Sequence, residues 1–282
     1  MEPSTLLRFV VPGPSVLPLH IFLEHLRALL RESIDLALPP VCANCARWLR
    51  LPLERDAALC ESCAAALPWI ETGHCQRCQE QPPRQGSGLC SDCANARRES
   101  RRLASCSASL YYEGDTETWI TRFKYPEAGL RGLDAAPIAV ARRIAREAAT
   151  RVPGAPPTLV IPVPLHVRRH AERGFNPAAI AAREIARITG GRYAPAKLRR
   201  IRETPTQTGL GRSERRRNVQ GAFAVDPNTM LRGSRIWLVD DVVTTGATLE
   251  ACAHALRGVG AAELRGVALA RTPLRRAARL RR

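Results

Sequence analysis

From Ala104 onward, short continuous apolar runs alternate with stretches in which apolar residues recur at helical spacing. Ala104 to Tyr112 reads as a first strand, Thr158 to Pro164 as a second, the run from Ile236 to Asp241 as a third and Leu264 to Leu269 as a last. Between them, Trp119 to Tyr125 is helical and closed by Pro126, and Ala135 to Ala149 is a helix with Ile138, Val140 and Ile144 inward. Arg142, Arg143 and Arg146 fall on that helix's solvated side. After Pro164 comes a basic loop, His166 to Asn176, then a helix from Pro177 to about Thr189, with Pro177 suited to a first turn. Another helix starts at about Leu249. Strands and helices in alternation predict an α/β fold with a parallel sheet.

The front of the chain follows a different pattern. Phe9 to Leu19 is apolar but interrupted by Pro12, Gly13, Pro14 and Pro18, whereas Ile21 to Leu38 places Phe22, Leu26, Leu29, Leu30 and Ile34 near one helix face. No apolar run approaches the roughly 18–20 residues a membrane span requires. A basic leader with a cleavage site is also missing, so the expected compartment is the cytoplasm. Three regions follow: 1–40 with the amphipathic helix, 41–96 rich in cysteine, and 104–282 with the α/β pattern. Arg97 to Arg102 forms a polar joint before the last of these.

Between Val41 and Cys93 large apolar residues are sparse, and eight cysteines stand in four Cys-x-x-Cys pairs: Cys42/Cys45, Cys60/Cys63, Cys75/Cys78 and Cys90/Cys93. Two such pairs supply four thiolates to one tetrahedral ion. The simplest assignment is one zinc on the first four and a second on the last four; a cross-braced pairing has the same spacing. Disulfides fit a reducing compartment poorly, and redox work needs one pair rather than four. Bound metal contributes on the order of 10–16 kcal/mol in small zinc domains, enough to replace a thin core. His74 reads as a neighbour of the cysteines, and Cys106 and Cys252 as ordinary buried residues.

Formal charge is +17, from 43 basic and 26 acidic residues. Arg192 to Arg217 carries nine basic residues against Glu203 and Glu214, and the tail from Arg271 to Arg282 carries six arginines and no acid. Those two segments account for most of the excess. Charge so localised points to a polyanion, either nucleic acid or a multiply phosphorylated ligand. A coding bias toward arginine explains the scarcity of lysine, limited to Lys124 and Lys197, but not the net excess.

The densest chemistry lies in Val239-Asp240-Asp241-Val242-Val243-Thr244-Thr245-Gly246-Ala247-Thr248. A strand there delivers two carboxylates to its carboxyl end, where open α/β sheets bind ligands. A small-residue turn and a helix N-terminus follow, both suited to an anion. A capped turn alone explains one Asp or one Thr, not five polar positions in order. The run closely resembles the phosphoribosyl-pyrophosphate (PRPP) signature of type I phosphoribosyltransferases. That resemblance implies that Asp240 and Asp241 hold ribose hydroxyls while Thr244, Thr245, Gly246, Ala247 and Thr248 cradle the 5′-phosphate.

The resemblance extends along the chain. The four cysteine pairs are followed by Phe123-Lys124-Tyr125, Val163-Pro164-Leu165, Arg173-Gly174-Phe175-Asn176, Gln207-Thr208-Gly209-Leu210, then Arg215, Arg216 and Asn218, and finally the PRPP run. This order is similar to the ComF family, competence proteins with a double zinc ribbon ahead of a phosphoribosyltransferase-like domain. It implies two zinc ions and a PRPP site in which Val163 and Pro164 lie on the pyrophosphate side. Lys124, Arg215 and Arg216 would contact phosphates there, and magnesium would bridge pyrophosphate oxygens. Gln207 to Asn218 would be a loop closing over them. Single-stranded DNA, handled during uptake, and a competence helicase are the implied partners. A different reading of the same site is an active phosphoribosyltransferase with an unidentified acceptor.

Overall fold

The computed structural model describes residues 41–49, 58–71, 73–79, 81–95, 102–125, 136–204, 212–226 and 229–273. The expected amphipathic helix over 21–38, Pro126, the segment 207–211 and the tail beyond residue 273 lie outside them. Among the described residues no helix is long and apolar enough to cross a membrane.

Five parallel strands form the central sheet: β1 (Ser105–Tyr111), β2 (Leu159–Pro162), β3 (Arg192–Tyr193), β6 (Arg235–Val243) and β7 (Glu263–Arg271), in the order β1-β7-β6-β2-β3. A short antiparallel pair, β4 (Leu198–Arg200) and β5 (Phe223–Val225), stands apart. The middle strands are buried on both sides, which is why Ile236, Trp237, Leu238 and Val239 form one unbroken apolar run. Helices α4 (Ala136–Thr150) and α6 (Pro177–Thr189) pack together over one face. Helix α8 (Ala247–Arg257) packs with α7 (Arg212–Val219) and β5 on the other.

Local chemistry explains the helix bounds. The Asn176 side chain accepts from the Ala178 amide at 3.1 Å, Pro177 takes the first turn, and Gly190 ends α6 in the left-handed region at φ 72°. Arg146 does not point simply to solvent. Its Nε donates to Glu184 Oε1 at 2.7 Å across the α4–α6 seam, and Arg187 holds the same carboxylate at 2.7 Å. The Arg187 hydrogen bond, opposed by burial, keeps Glu184 below the usual carboxylate range.

Two segments expected as loops are helical. Within the basic run after Pro164, α5 spans Val167–Arg173 and stops at Gly174 (φ 79°). It buries no residue, so it carries no apolar stripe for periodicity to detect. The part of the expected closing loop from Arg212 to Asn218 belongs to α7 (Arg212–Val219), held by buried Arg215 and by Val219 just past the loop's expected end. Helix α8 also begins at Ala247, two residues earlier than the apolar pattern suggests.

The cysteine-rich region, which carries the short helices α1 (Glu61–Ala65) and α2 (Ser91–Asn95), docks on the outer edge of the sheet. Trp69 pairs antiparallel with Leu110 of β1. The Ile70 amide donates to the Ser109 carbonyl and the Tyr111 amide to the Pro68 carbonyl, each at 2.8 Å. The segment thus covers an edge that would otherwise expose unpaired backbone groups. Leu59, Leu67 and Ala64 join one core cluster with Trp119, Ile120 and Phe123 of α3 (Asp115–Lys124). Around Cys75, Cys78, Cys90 and Cys93 only Leu89, among the described residues, is packed as an apolar neighbour.

Candidate functional site

The eight paired cysteines form two separate clusters in sequence order, Cys42/Cys45/Cys60/Cys63 and Cys75/Cys78/Cys90/Cys93, with all four sulfurs of each within 4.8 Å of one another. The cross-braced pairing is therefore not adopted. Cys45 Sγ to Cys60 Sγ is 3.8 Å and Cys78 Sγ to Cys90 Sγ 3.7 Å. Four thiolates at a Zn–S distance of 2.3 Å sit about 3.8 Å apart at tetrahedral corners, so both clusters fit zinc. The Cys60 amide donates to Cys42 Sγ at 3.3 Å and the Cys63 amide to Cys60 Sγ at 3.5 Å. The Cys63 amide chiefly, against burial, lowers Cys60 to about 6, toward the thiolate a metal requires. His74 belongs to neither cluster; its Nδ1 lies 2.9 Å from the Glu71 carbonyl.

The second site follows from strand order. β2 leads outward through α6 to β3, whereas β6 leads the opposite way through α8 to β7, so the direction of winding reverses between β2 and β6. Ligands of open α/β sheets bind at such a reversal. The register deepens the crevice: β2 ends with Pro162 opposite Val239, while β6 continues along β7 as far as Val243. Asp240 and Asp241 therefore stand in β6 beyond the reach of β2.

A cleft of about 530 Å³ opens there. Lys124, Val163, Pro164, Arg215, Asp240, Asp241, Thr244, Gly246, Ala247 and Thr248 all line it. Thr245 and Arg216 do not; they line a neighbouring cleft. Thr245 Oγ1 accepts from the Ala247 amide at 3.4 Å, a local contact that shapes the turn. Gly246 holds φ 75° there, a conformation that side-chain-bearing residues rarely adopt. It caps α8 without a side-chain hydrogen bond, so the helix N-terminus meets the cleft.

Lys124 Nζ lies 3.1 Å from Asp241 Oδ1. The Asp241 amide donates to Asp240 Oδ1 at 2.9 Å. Burial chiefly, then repulsion from Asp241, pushes Asp240 up to about 7 against the pull of Lys124 and Arg200. Two carboxylates side by side in a cleft with several cations differ from a structural ion pair. They leave acceptor capacity for hydroxyl donors while the cations attract anions.

Sequence reasoning missed Arg169, Arg173 and Arg200, which also line the cleft. Arg200 reaches it from β4 and lies 5.5 Å over the Phe223 ring. Burial, with Arg169 nearby, lowers its proton affinity, and Asp240 counters this. No local pattern marks Arg200. Arg173 was within reach, because it opens the Arg-Gly-Phe-Asn motif. That motif and Phe123-Lys124-Tyr125 pack on each other. Phe175 and Phe123 have ring centroids 5.9 Å apart, and Arg173 Cζ sits 4.7 Å over Tyr125. Asn176 Nδ2 donates to the Val163 carbonyl at 2.9 Å, fixing the strand end beside the cleft.

Residues 33–94 match the double zinc ribbon domain family, and residues 171–280 match the phosphoribosyl transferase domain family. The DNA utilization protein YhgH of Salmonella typhi is 31% identical over 251 residues, which cover 86% of this chain and 96% of that protein. Competence protein F of Haemophilus influenzae is 38% identical over 117 residues, 41% of this chain and 51% of its own. Competence protein ComFC of Bacillus subtilis is 29% identical over 214 residues, 74% of this chain and 82% of its own. With both domains matched in order and one relative aligned over nearly its whole length, the chain belongs to the ComF family of competence and DNA utilization proteins, a double zinc ribbon ahead of a phosphoribosyltransferase fold.

Proposed function

We propose that this chain binds PRPP, or a closely related ribose phosphate, in the cleft beside Asp240 and Asp241, and that it handles single-stranded DNA. One observation carries the reading: two adjacent carboxylates share a cleft with Lys124, Arg169, Arg173, Arg200 and Arg215, beside the N-terminus of a helix. Cations alone would suit any phosphate. The carboxylates repel bare phosphate but accept hydrogen bonds from a cis-diol, so together they select a sugar that carries phosphates.

In this arrangement the 5′-phosphate rests on the turn from Thr244 to Thr248, where backbone amides and the helix dipole favour an anion. The ribose hydroxyls donate to Asp240 and Asp241. Pyrophosphate lies toward Val163 and Pro164, with arginines offering forked contacts to its oxygens. Magnesium accompanying the pyrophosphate would supply further positive charge there. Arg169, Arg173 and Arg200 neutralise the ligand, and Asn176 keeps the Val163 carbonyl end in place.

The DNA part of the proposal rests on the net charge of +17 and on relatives whose names record DNA utilization and competence. The competence helicase implied by the family resemblance belongs to this part of the proposal. Titration of the zinc-loaded protein with PRPP, then with a single-stranded oligonucleotide, tests both halves. Saturable binding of each is expected. Failure of PRPP to bind would reject the cleft assignment. Release of pyrophosphate on adding a candidate acceptor would identify a transferase rather than a binding protein.

A further inference from the structure

A second cleft, of about 540 Å³, lies on the far side of the turn that holds Gly246. Its walls come from the second cysteine cluster, the start of β1, α7 and the outer side of α8. Val243, Gly246 and Ala247 line both clefts, so one turn forms a shared floor. Helix α7 divides three consecutive arginines between them: Arg215 lines the first, and exposed Arg216 and Arg217 line the second. Across the gap stand Arg77 of the second ribbon and exposed Arg102. Glu250 is the one carboxylate among the described lining residues, and its Oε2 accepts from the Arg102 amide at 2.8 Å.

Building on the proposed function, we infer that this second cleft, not the carboxylate cleft, holds the backbone of single-stranded DNA, so that PRPP and the strand bind together on either side of the shared turn. Deoxyribose lacks the 2′-hydroxyl that paired carboxylates would use, and successive phosphates would meet Asp240 and Asp241 with repulsion. Among the described residues the second cleft has no such carboxylate pair. Its cations belong to separate walls rather than converging on one point, which suits an extended chain of phosphates. Leu103, Phe223 and Ala251 close its floor, the first two largely buried, so the strand would be held there by its phosphates rather than by its bases.

Fluorescence anisotropy of a labelled oligo(dT) tests the assignment. The Arg216→Ala/Arg217→Ala variant should bind about tenfold more weakly, with a log–log salt slope shallower by about 1.4, from about 0.7 per phosphate contact in single strands. Arg102→Ala, on the opposite wall, should weaken DNA in the same direction. Both variants should keep the parent's melting midpoint, zinc content and PRPP affinity, and saturating PRPP should leave the oligonucleotide bound. If the parent binds DNA but PRPP displaces it, or if neither variant weakens it, the strand lies elsewhere and this inference falls alone. If the parent binds PRPP but no DNA, the DNA half of the proposed function falls with it.

Discussion

Replacing Asp240 by Asn should stabilise the protein while damaging its ligand site, a sign combination a purely structural carboxylate would not give. Burial and the neighbouring Asp241 push Asp240 from 3.8 up to about 7. The folded state therefore holds this proton more tightly than the unfolded chain does. The stabilisation from the protonated form is fully present below about pH 4 and is lost as pH rises through about 7. That interval corresponds to roughly 4 kcal/mol, of which solvent in the open cleft leaves about 1–3. Asn never ionises, keeps an oxygen for the Asp241 amide, and leaves the Lys124–Asp241 pair intact. At pH 8 the variant should melt roughly 3–10 °C higher than the parent, and at pH 4 the two should coincide. Loss of one charge-assisted acceptor, worth about 1.5–3 kcal/mol, should weaken PRPP by about tenfold or more at pH 8. For the parent, PRPP affinity should rise between about pH 6 and 8 as Asp240 ionises. Calorimetry across pH gives both numbers. A lower or pH-independent melting difference, or unchanged PRPP affinity, would refute the reasoning.

Other outcomes follow from the same structure. Metal analysis should find close to two zinc equivalents, and Cys60→Ser and Cys90→Ser should each remove one. Chelation should open the second ribbon first, because its core is almost only cysteine, whereas Leu59 and Leu67 tie the first to α3; hydrogen exchange would read that order. The double variant Asp240→Asn/Asp241→Asn should lose more PRPP affinity than the single one without loss of DNA binding, and equal PRPP binding would make both carboxylates structural. In Gly266→Ala a Cβ would stand 3.0 Å from Leu249 Cδ1 and 3.2 Å from Cys106 Sγ, so a cost of about 1–3 kcal/mol in chemical denaturation is expected.

Four of the five sheet strands were legible, β2 and β6 because a parallel strand buried on both faces is continuously apolar, whereas β3, two residues long, was not; the cysteine clusters were legible because metal geometry fixes ligand spacing. Helix α5 left no trace because it buries nothing, and α7 little because an arginine, Arg215, occupies one of its buried positions. The carboxylates and the turn around Gly246 form one contiguous segment. Arg200 comes from a three-residue strand of the small antiparallel pair, and only the packing of that pair against the sheet brings it beside Asp240. Thr245 shows the opposite limit: a repeated Thr-Thr suggests equivalent roles, but adjacent residues face different clefts. The second cleft was invisible for the same reason, since it exists only where a ribbon docks on the sheet. Cys106, expected to be fully buried, is partly buried on its wall.

The measurement that bears most directly on the account is a crystal structure of the zinc-loaded protein with PRPP and magnesium. The account predicts the 5′-phosphate on the amides of the turn from Thr244 to Thr248 and both ribose hydroxyls within hydrogen-bond distance of Asp240 and Asp241. PRPP lodged in the second cleft, or a saturated crystal with the carboxylate cleft empty, would contradict it.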